Sequence, residues 1–369
     1  MIYLDYAATS PMRREAVEAY VEAASQAFGN TQSLHDHGTK AAEYIHSCKV
    51  VFSELLNVRS SGFYFTGNAS EGNQLAIRSI LRGRPKSCNV IITTYLEHAS
   101  VLITMHELEK EGYIVRYAPV NQDGIVDIEW IKNEVNEQTA IVVLQLVNSE
   151  MGAIQPVKEC VEAVAAYQVP VHCDMVQALG KLSIDLNSIG VTSAVISPHK
   201  FGGPKGVGVV YMNPSIHWES VMEGTTHQNG FRAGTVDVPA IVASTIAAKL
   251  AVVEQQAAYD RAVELQQFLL KNIHSDIQIV GNVKEKSPFI QGIILPHIEG
   301  QWMMLECNRH QIAISTGTAC KIGHGEAISA IKALGFEIDA ARRFVRISFN
   351  GSTSVEDVEE FLKIVNRSL

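Results

Sequence analysis

Ser193-Ala194-Val195-Ile196-Ser197-Pro198-His199-Lys200-Phe201-Gly202-Gly203-Pro204-Lys205-Gly206 is the stretch on which the fold turns. A short apolar run breaks at a proline and delivers a histidine and a lysine into a glycine-rich turn. Short apolar runs bounded by turn signals read as strands buried on both faces. Val90-Ile91-Ile92-Thr93, Ala140 to Val147, Val169 to Cys173 and Gly206 to Tyr211 repeat the pattern, with longer amphipathic stretches between them. Continuous apolar strands alternating with helices predict an α/β fold, a mostly parallel sheet covered on both faces.

Working outward, Ser10-Pro11 predicts a helix start, with Val17, Tyr20, Val21, Ala24 and Phe28 following at helical spacing. A long helical stretch from about Thr245 to Ile273, carrying Leu250, Val253, Ala257, Leu265 and Leu269, predicts a bridge to a smaller α+β region. The expected division is a large domain over residues 14–255 and a small one formed by 1–13 and 256–369.

With 369 residues, 47% of them hydrophobic and 19% charged, the chain has the composition of a soluble two-domain protein. A net charge of −9 argues against binding nucleic acid or an anionic membrane. No apolar run reaches the roughly 18 residues a membrane span needs. Met1-Ile2-Tyr3-Leu4-Asp5-Tyr6 lacks the basic-then-apolar start of a signal peptide. The six cysteines are scattered and include no C-x-x-C pair, which fits free thiols in a reducing compartment. The expected location is therefore cytoplasmic.

Ligands of open parallel sheets bind at the carboxyl ends of the strands. Here those ends carry Glu97-His98, Asn148-Ser149-Glu150, Asp174 with Gln177, and Ser197-Pro198-His199-Lys200. Each alone reads as a loop residue, a helix cap or a solvated charge. Together they bring an acid, an imidazole, an amide and a lysine to one place. A lysine at a crowded, partly desolvated site loses its proton and forms a Schiff base with an aldehyde. Pyridoxal phosphate is the usual aldehyde, and it requires an acidic partner at its ring nitrogen. Asp174 suits that nitrogen, Gln177 the ring hydroxyl, and His98 the ring face. Its phosphate requires donors, which the turn into a helix at Phe65-Thr66-Gly67-Asn68-Ala69-Ser70-Glu71 offers together with Ser197 and His199.

Two other motifs read as structural. Gly202-Gly203-Pro204-Lys205-Gly206 lacks the Gly-Lys-Ser/Thr ending of a nucleotide-phosphate loop, and reads as a turn that passes close behind Lys200. His35-Asp36-His37 has no third ligand at metal-binding spacing, so no metal is expected.

These motifs, with Leu4-Asp5-Tyr6-Ala7-Ala8-Thr9 near the start, Gly230-Phe231-Arg232-Ala233-Gly234-Thr235 and Ser315-Thr316-Gly317-Thr318-Ala319-Cys320, run in order along nearly the whole chain. The sequence resembles the NifS/IscS-type cysteine desulfurases of the class V, fold type I pyridoxal-phosphate enzymes. The resemblance implies that Lys200 bonds the cofactor, Asp174 holds its ring nitrogen, Gln177 its hydroxyl, and His98 stacks on it and moves protons. It assigns phosphate contacts to Ala69, Ser70, Ser197 and His199. Thr235 would contact the phosphate bound in the neighbouring subunit, which implies a homodimer. Arg346 would clamp the substrate carboxylate, with Asn148 beside it. Arg346 also alternates away from Val345, Ile347 and Phe349 along a strand. Cys320 would accept the sulfur as a persulfide. It stands among small residues, with Lys321 and His324 placed to favour its thiolate, whereas Cys88, Cys160 and Cys173 read as buried hydrophobes.

The resemblance thus implies removal of sulfur from L-cysteine, leaving L-alanine and passing sulfur to an acceptor protein. The alternatives are another class V reaction, such as transamination or selenocysteine lysis, and a non-catalytic pyridoxal-phosphate-binding dimer. The chain departs from the family pattern at Asn68, at Ser149 and at Thr225-Thr226-His227-Gln228. At Ser149 a family asparagine that supports the ring hydroxyl is replaced, so the contact falls to Ser149, falls to Asn148 or is weakened. The ending at Leu369 suggests a dedicated iron–sulfur client as acceptor, the other expectation being an iron–sulfur scaffold.

Overall fold

The computed structural model describes residues 1–316 and 333–369. Its central sheet has seven strands in the order Phe63–Thr66, Gly208–Met212, Ser193–Ile196, Val171–Asp174, Thr139–Gln145, Val90–Thr93, Ile114–Tyr117. The five strands from 193–196 to 114–117 run parallel, while 208–212 is antiparallel to both its neighbours. The fold is α/β with a mostly parallel sheet flanked by helices. The central strands are buried throughout, because side chains on both faces meet helices. The edge strand Ile114–Tyr117 is half exposed and carries Arg116, so its apolar run was too short to be noticed in the sequence.

A second, three-stranded antiparallel sheet sets Ile290–Ile294 between Phe344–Ser348 and Gln278–Ile279. Beside it, Ile2–Tyr3 pairs in parallel with Ile312–Ala313. One apolar cluster joins Leu4 to Leu265, Leu269, Ile293, Val345, Ile347 and Phe361, so the start of the chain is buried among its last hundred or so residues.

Three local expectations change. The first helix is Arg14–Gln26, and Ser10 does not cap it. Instead Ser10 Oγ donates to the His199 carbonyl at 2.8 Å and accepts from Gly202 N at 2.8 Å, tying the amino-terminal segment to the lysine turn. Along that helix Ala16 and Ala23 are buried against Val238–Val253, whereas Val17, Val21 and, beyond the end, Phe28 are exposed. The long stretch near 245–273 is two helices, Val238–Val253 and Gln255–Asn272, bent by 64° where they meet. Glu254, at the bend, pairs with Arg13 at 2.7 Å.

Candidate active site

A cavity of about 380 Å³ opens at the carboxyl ends of the parallel strands, within the range of cofactor sites. Of the residues singled out from sequence, Ala69, Ser70, His98, Ser149, Asp174, Gln177, Ser197, His199, Lys200 and Arg346 line it. Ten positions from six separate segments converge on one space.

Lys200 follows the strand Ser193–Ile196 in a single turn. Its Nζ donates to the carbonyls of Ala7 at 2.5 Å and Ala8 at 2.9 Å, which hold it at the cavity wall. Burial, and next the neighbouring Arg346, push its pKa down to about 8, with Asp174, Asp5 and Glu150 opposing. A substantial fraction of the amine is therefore neutral near physiological pH, the form that attacks an aldehyde. Gly202 lets this turn close: its φ is +90°, and a Cβ there would lie 2.5 Å from Arg13 Cγ.

Asp174 ends the neighbouring strand. Its Oδ1 accepts from Val176 N at 3.0 Å and its Oδ2 from Asn73 Nδ2 at 2.8 Å, fixing the carboxylate's direction. Gln177 donates from Nε2 to the Ala7 carbonyl at 2.8 Å and accepts from Lys181 Nζ at 2.7 Å. Lys181 therefore decides which end of the Gln177 amide meets the cavity. Burial, with Lys200 and Arg346 adding to it, lowers the Lys181 pKa to about 7.

On the opposite wall, the helix Ala69–Arg82 begins at the cavity. Asn68 caps it, accepting from Glu71 N at 2.8 Å. The amides of its first turn have no carbonyl within the helix to bind, and they face the same space as Ser197 and His199. His199 is held neutral, its pKa pushed down to about 4 by burial and then by Lys200 and two other lysines. Its Nδ1 lies 3.0 Å from Thr9 Oγ1. This donor set suits a phosphate.

Arg346 is buried on the strand Phe344–Ser348, its register partner being Gly292. It donates to Asp5 Oδ1 at 2.9 Å, to the Ser149 carbonyl at 3.0 Å and to Glu150 Oε1 at 3.3 Å. Its Nε, fully buried, has no acceptor among the described residues. A buried guanidinium N–H without an acceptor is unfavourable, and a bound carboxylate would supply one.

One sequence expectation does not meet the cavity. Asn148 is buried in the turn beside it, and its amide is committed there. It donates to the Leu96 carbonyl at 3.0 Å and accepts from Glu150 N at 2.8 Å and Met151 N at 3.0 Å. Asn148 thus shapes the 146–152 turn, while Ser149 faces the space. Thr235, expected to reach the phosphate of a neighbouring subunit, lines a separate hollow of about 160 Å³ with Gly67, Arg232 and Asp237. Cys320, with Lys321 and His324, lies outside the described residues. Burial raises the thiol pKa of Cys160 to about 12 and that of Cys173 well above its usual value. His35 caps the helix Asp36–Leu56, accepting from Gly38 N at 3.2 Å.

The model of the aminotransferase class-V family matches residues 2–361. The chain belongs to this family. It is 40% identical to the NifS protein of Bacillus subtilis, over 98% of this chain and 93% of that one. It is 30% identical to the cysteine desulfurase IscS of Dictyoglomus turgidum, over 99% of this chain and 94% of that one. Among solved structures, a NifS-like protein superposes with a TM-score of 0.93 at 28% identity, covering 100% of this chain and 98% of that one. A protein named SspA, solved in complex with cysteine, gives 0.82 at 25% identity over 96% and 100% of the two chains. The class-V match and the full-length likeness to desulfurases agree with the motifs read from sequence.

Sequence reading missed Asn73, Ser100 and His172. Asn73 and Ser100 line the cavity, and His172 stands behind Asn73. Asn73 falls inside a helix and His172 inside an apolar strand, positions where a polar residue gives no motif of its own.

Proposed function

We propose that this protein is a pyridoxal-phosphate-dependent cysteine desulfurase that converts L-cysteine to L-alanine and carries the sulfur on Cys320. The observation that carries the reading is the Lys200 amine, pKa about 8, in one cavity with Asp174, a helix amino terminus and a carboxylate-seeking arginine.

The residues present fit the cofactor. Lys200 would bond its aldehyde, Asp174 its ring nitrogen, and Gln177, oriented by Lys181, its ring hydroxyl, with His98 on the ring face. Ala69, Ser70, Ser197 and His199 would hold the phosphate. When bound there, pyridoxal phosphate supplies an electron sink for bonds broken at the substrate's α and β carbons.

The chain's own groups supply the rest. Arg346 binds the cysteine carboxylate and so sets its orientation over Lys200. Lys200 Nζ and His98 take up and return protons at the substrate carbons. Cys320, as thiolate, attacks the substrate sulfur. An S–S bond forms, the C–S bond breaks, and the carbon gains a proton. Two thiols become a persulfide and a C–H bond, so no outside oxidant is needed. The persulfide then passes to an acceptor protein that assembles or uses iron–sulfur clusters. A homodimer is part of the proposal, supported by the exposed apolar side chains of Val21 (63%) and Phe28 (64%) and by the position of Thr235.

Mass spectrometry of the protein after exposure to L-cysteine tests this directly. One added sulfur on the peptide holding Cys320, with alanine released, is the expected result. Cys320→Ser should abolish desulfuration and keep the cofactor's visible absorbance. Alanine formation that survives that substitution, with the sulfur released at the zero-valent level and appearing as sulfide only when an added thiol reduces it, would favour a lyase reaction that does not use the Cys320 thiol.

A further inference from the structure

Behind the cavity wall runs a chain of polar side chains that the mechanism above does not use. His172, Ser193 and Asn73 are essentially fully buried, among apolar strands. Ser193 Oγ lies 2.7 Å from His172 Nδ1, and His172 Nε2 lies 3.0 Å from Asn73 Oδ1. Asn73 Nδ2 then reaches both Asp174 Oδ2, at 2.8 Å, and Ser100 Oγ, at 3.1 Å. Ser100 Oγ is in turn 2.9 Å from His98 Nδ1, which also accepts from Ser100 N at 3.1 Å. One continuous path therefore joins the two groups expected to touch the cofactor ring, Asp174 and His98.

The donors and acceptors along this path admit one direction. The Asp174 carboxylate only accepts, so it takes a proton of the Asn73 amide group. The reversed amide would set Oδ1 against that carboxylate, two acceptors in contact. The second Nδ2 proton goes to Ser100, whose hydroxyl is then free to donate onward to His98 Nδ1. With two donors aimed at Nδ1, a neutral His98 carries its proton on Nε2. At the other end Asn73 Oδ1 accepts from His172 Nε2, and Ser193 donates to His172 Nδ1. Burial keeps His172 neutral, its pKa pushed down to about 3, and the acceptor Asn73 Oδ1 facing Nε2 selects the Nε2–H tautomer that this direction requires.

We propose that Asn73 is a positioning residue, oriented by His172, that fixes the direction of the Asp174 carboxylate and the Nε2–H tautomer of His98 together. The importance of those two groups rests on the cofactor reading above. The hydrogen-bond path does not, so the two can be tested apart.

The experiment uses nitrogen-15 histidine NMR on the full-length, cofactor-free protein, with His98 assigned by comparison with His98→Gln. Wild-type His98 should show the Nε2–H pattern with a strongly hydrogen-bonded Nδ1. His172→Phe removes the donor to Asn73 and should shift the His98 Nδ1 resonance. It should also weaken pyridoxal phosphate binding by roughly tenfold or more, the effect of disturbing one hydrogen bond to a charged group. His172→Gln can both donate to Asn73 and accept from Ser193, and should restore both properties. A His98 signal indifferent to His172→Phe overturns the proposal, as does a His172→Gln protein no better than His172→Phe. Should His172→Phe fail to fold, Ser100→Ala cuts the same path near its outer end and must move the His98 Nδ1 resonance; an unmoved signal again overturns it. If the NMR responses hold but wild-type protein does not bind pyridoxal phosphate, the cofactor reading falls and the path stands.

Discussion

The chemistry of the candidate site depends on how burial and neighbouring charge act on individual amines. Lys200 lowers the proton affinity of Lys181 beyond what burial does, and Arg346 lowers that of both lysines. Asp5, Glu150 and Asp174 supply the counter-charge for Lys200. For a lysine with depressed pKa, the protonated form is the disfavoured one. The reactive amine therefore gains as pH rises towards about 8 and saturates above it. Capture of pyridoxal phosphate by cofactor-free protein should accelerate about tenfold per pH unit below that point and level off beyond it, as followed by stopped-flow absorbance. A rate flat from pH 6 to 9 would show that Lys200 does not titrate there. The convergence of Lys200, Asp174 and Gln177 on one cavity was legible because motif and chemistry coincide. The amide of Asn148 was not, because nothing in Asn148-Ser149-Glu150 says which side chain turns inward and which closes the loop.

At the level of elements, the site is a set of strand ends held against one another by the amino-terminal segment. Residues 4–13 run between the two sheets, and the Ala7 and Ala8 carbonyls, the Ser10 hydroxyl and the Arg13 side chain all engage the loop around Lys200 or its neighbour Gln177. Gly202 is the contact that makes this approach feasible. Gly202→Ala places a Cβ against Arg13 in a left-handed backbone conformation, and should destabilise the protein by about 1–3 kcal/mol in urea unfolding. It should also slow cofactor capture, since the carbonyls that hold Lys200 move with the displaced segment. An unchanged unfolding midpoint would show that the segment adapts freely. The alternating apolar and amphipathic stretches revealed the inner strands. They marked Gly208–Met212 as a strand but not its antiparallel direction, because a strand buried on both faces reads the same either way. The Arg14–Gln26 helix misled for a related reason. Its small alanines pack inward, and its larger apolar residues face out.

For the whole molecule, those outward residues and the position of Thr235 point the same way. In the proposed dimer Thr235 of the second chain would contact the phosphate, so the site would be incomplete in one chain. Sedimentation should give twice the chain mass, and Val21→Glu with Phe28→Glu should shift it towards the monomer by placing charge in an apolar interface. Cofactor affinity should fall in parallel with dimer content. Monomeric wild-type protein with full cofactor affinity would remove the need for a second chain.

The residue types and their order along the chain determined the α/β class, the lysine, the acid and the arginine, because each carries a local signature that survives without coordinates. Apolar runs mark buried strands, and reactive groups cluster at their ends. Only the tertiary structure decided which way each amide faces, where Thr235 stands, and that Asn73, Ser100 and His172 join the wall. Those outcomes depend on hydrogen-bond partners about a hundred residues apart, which become neighbours only once the sheet has formed.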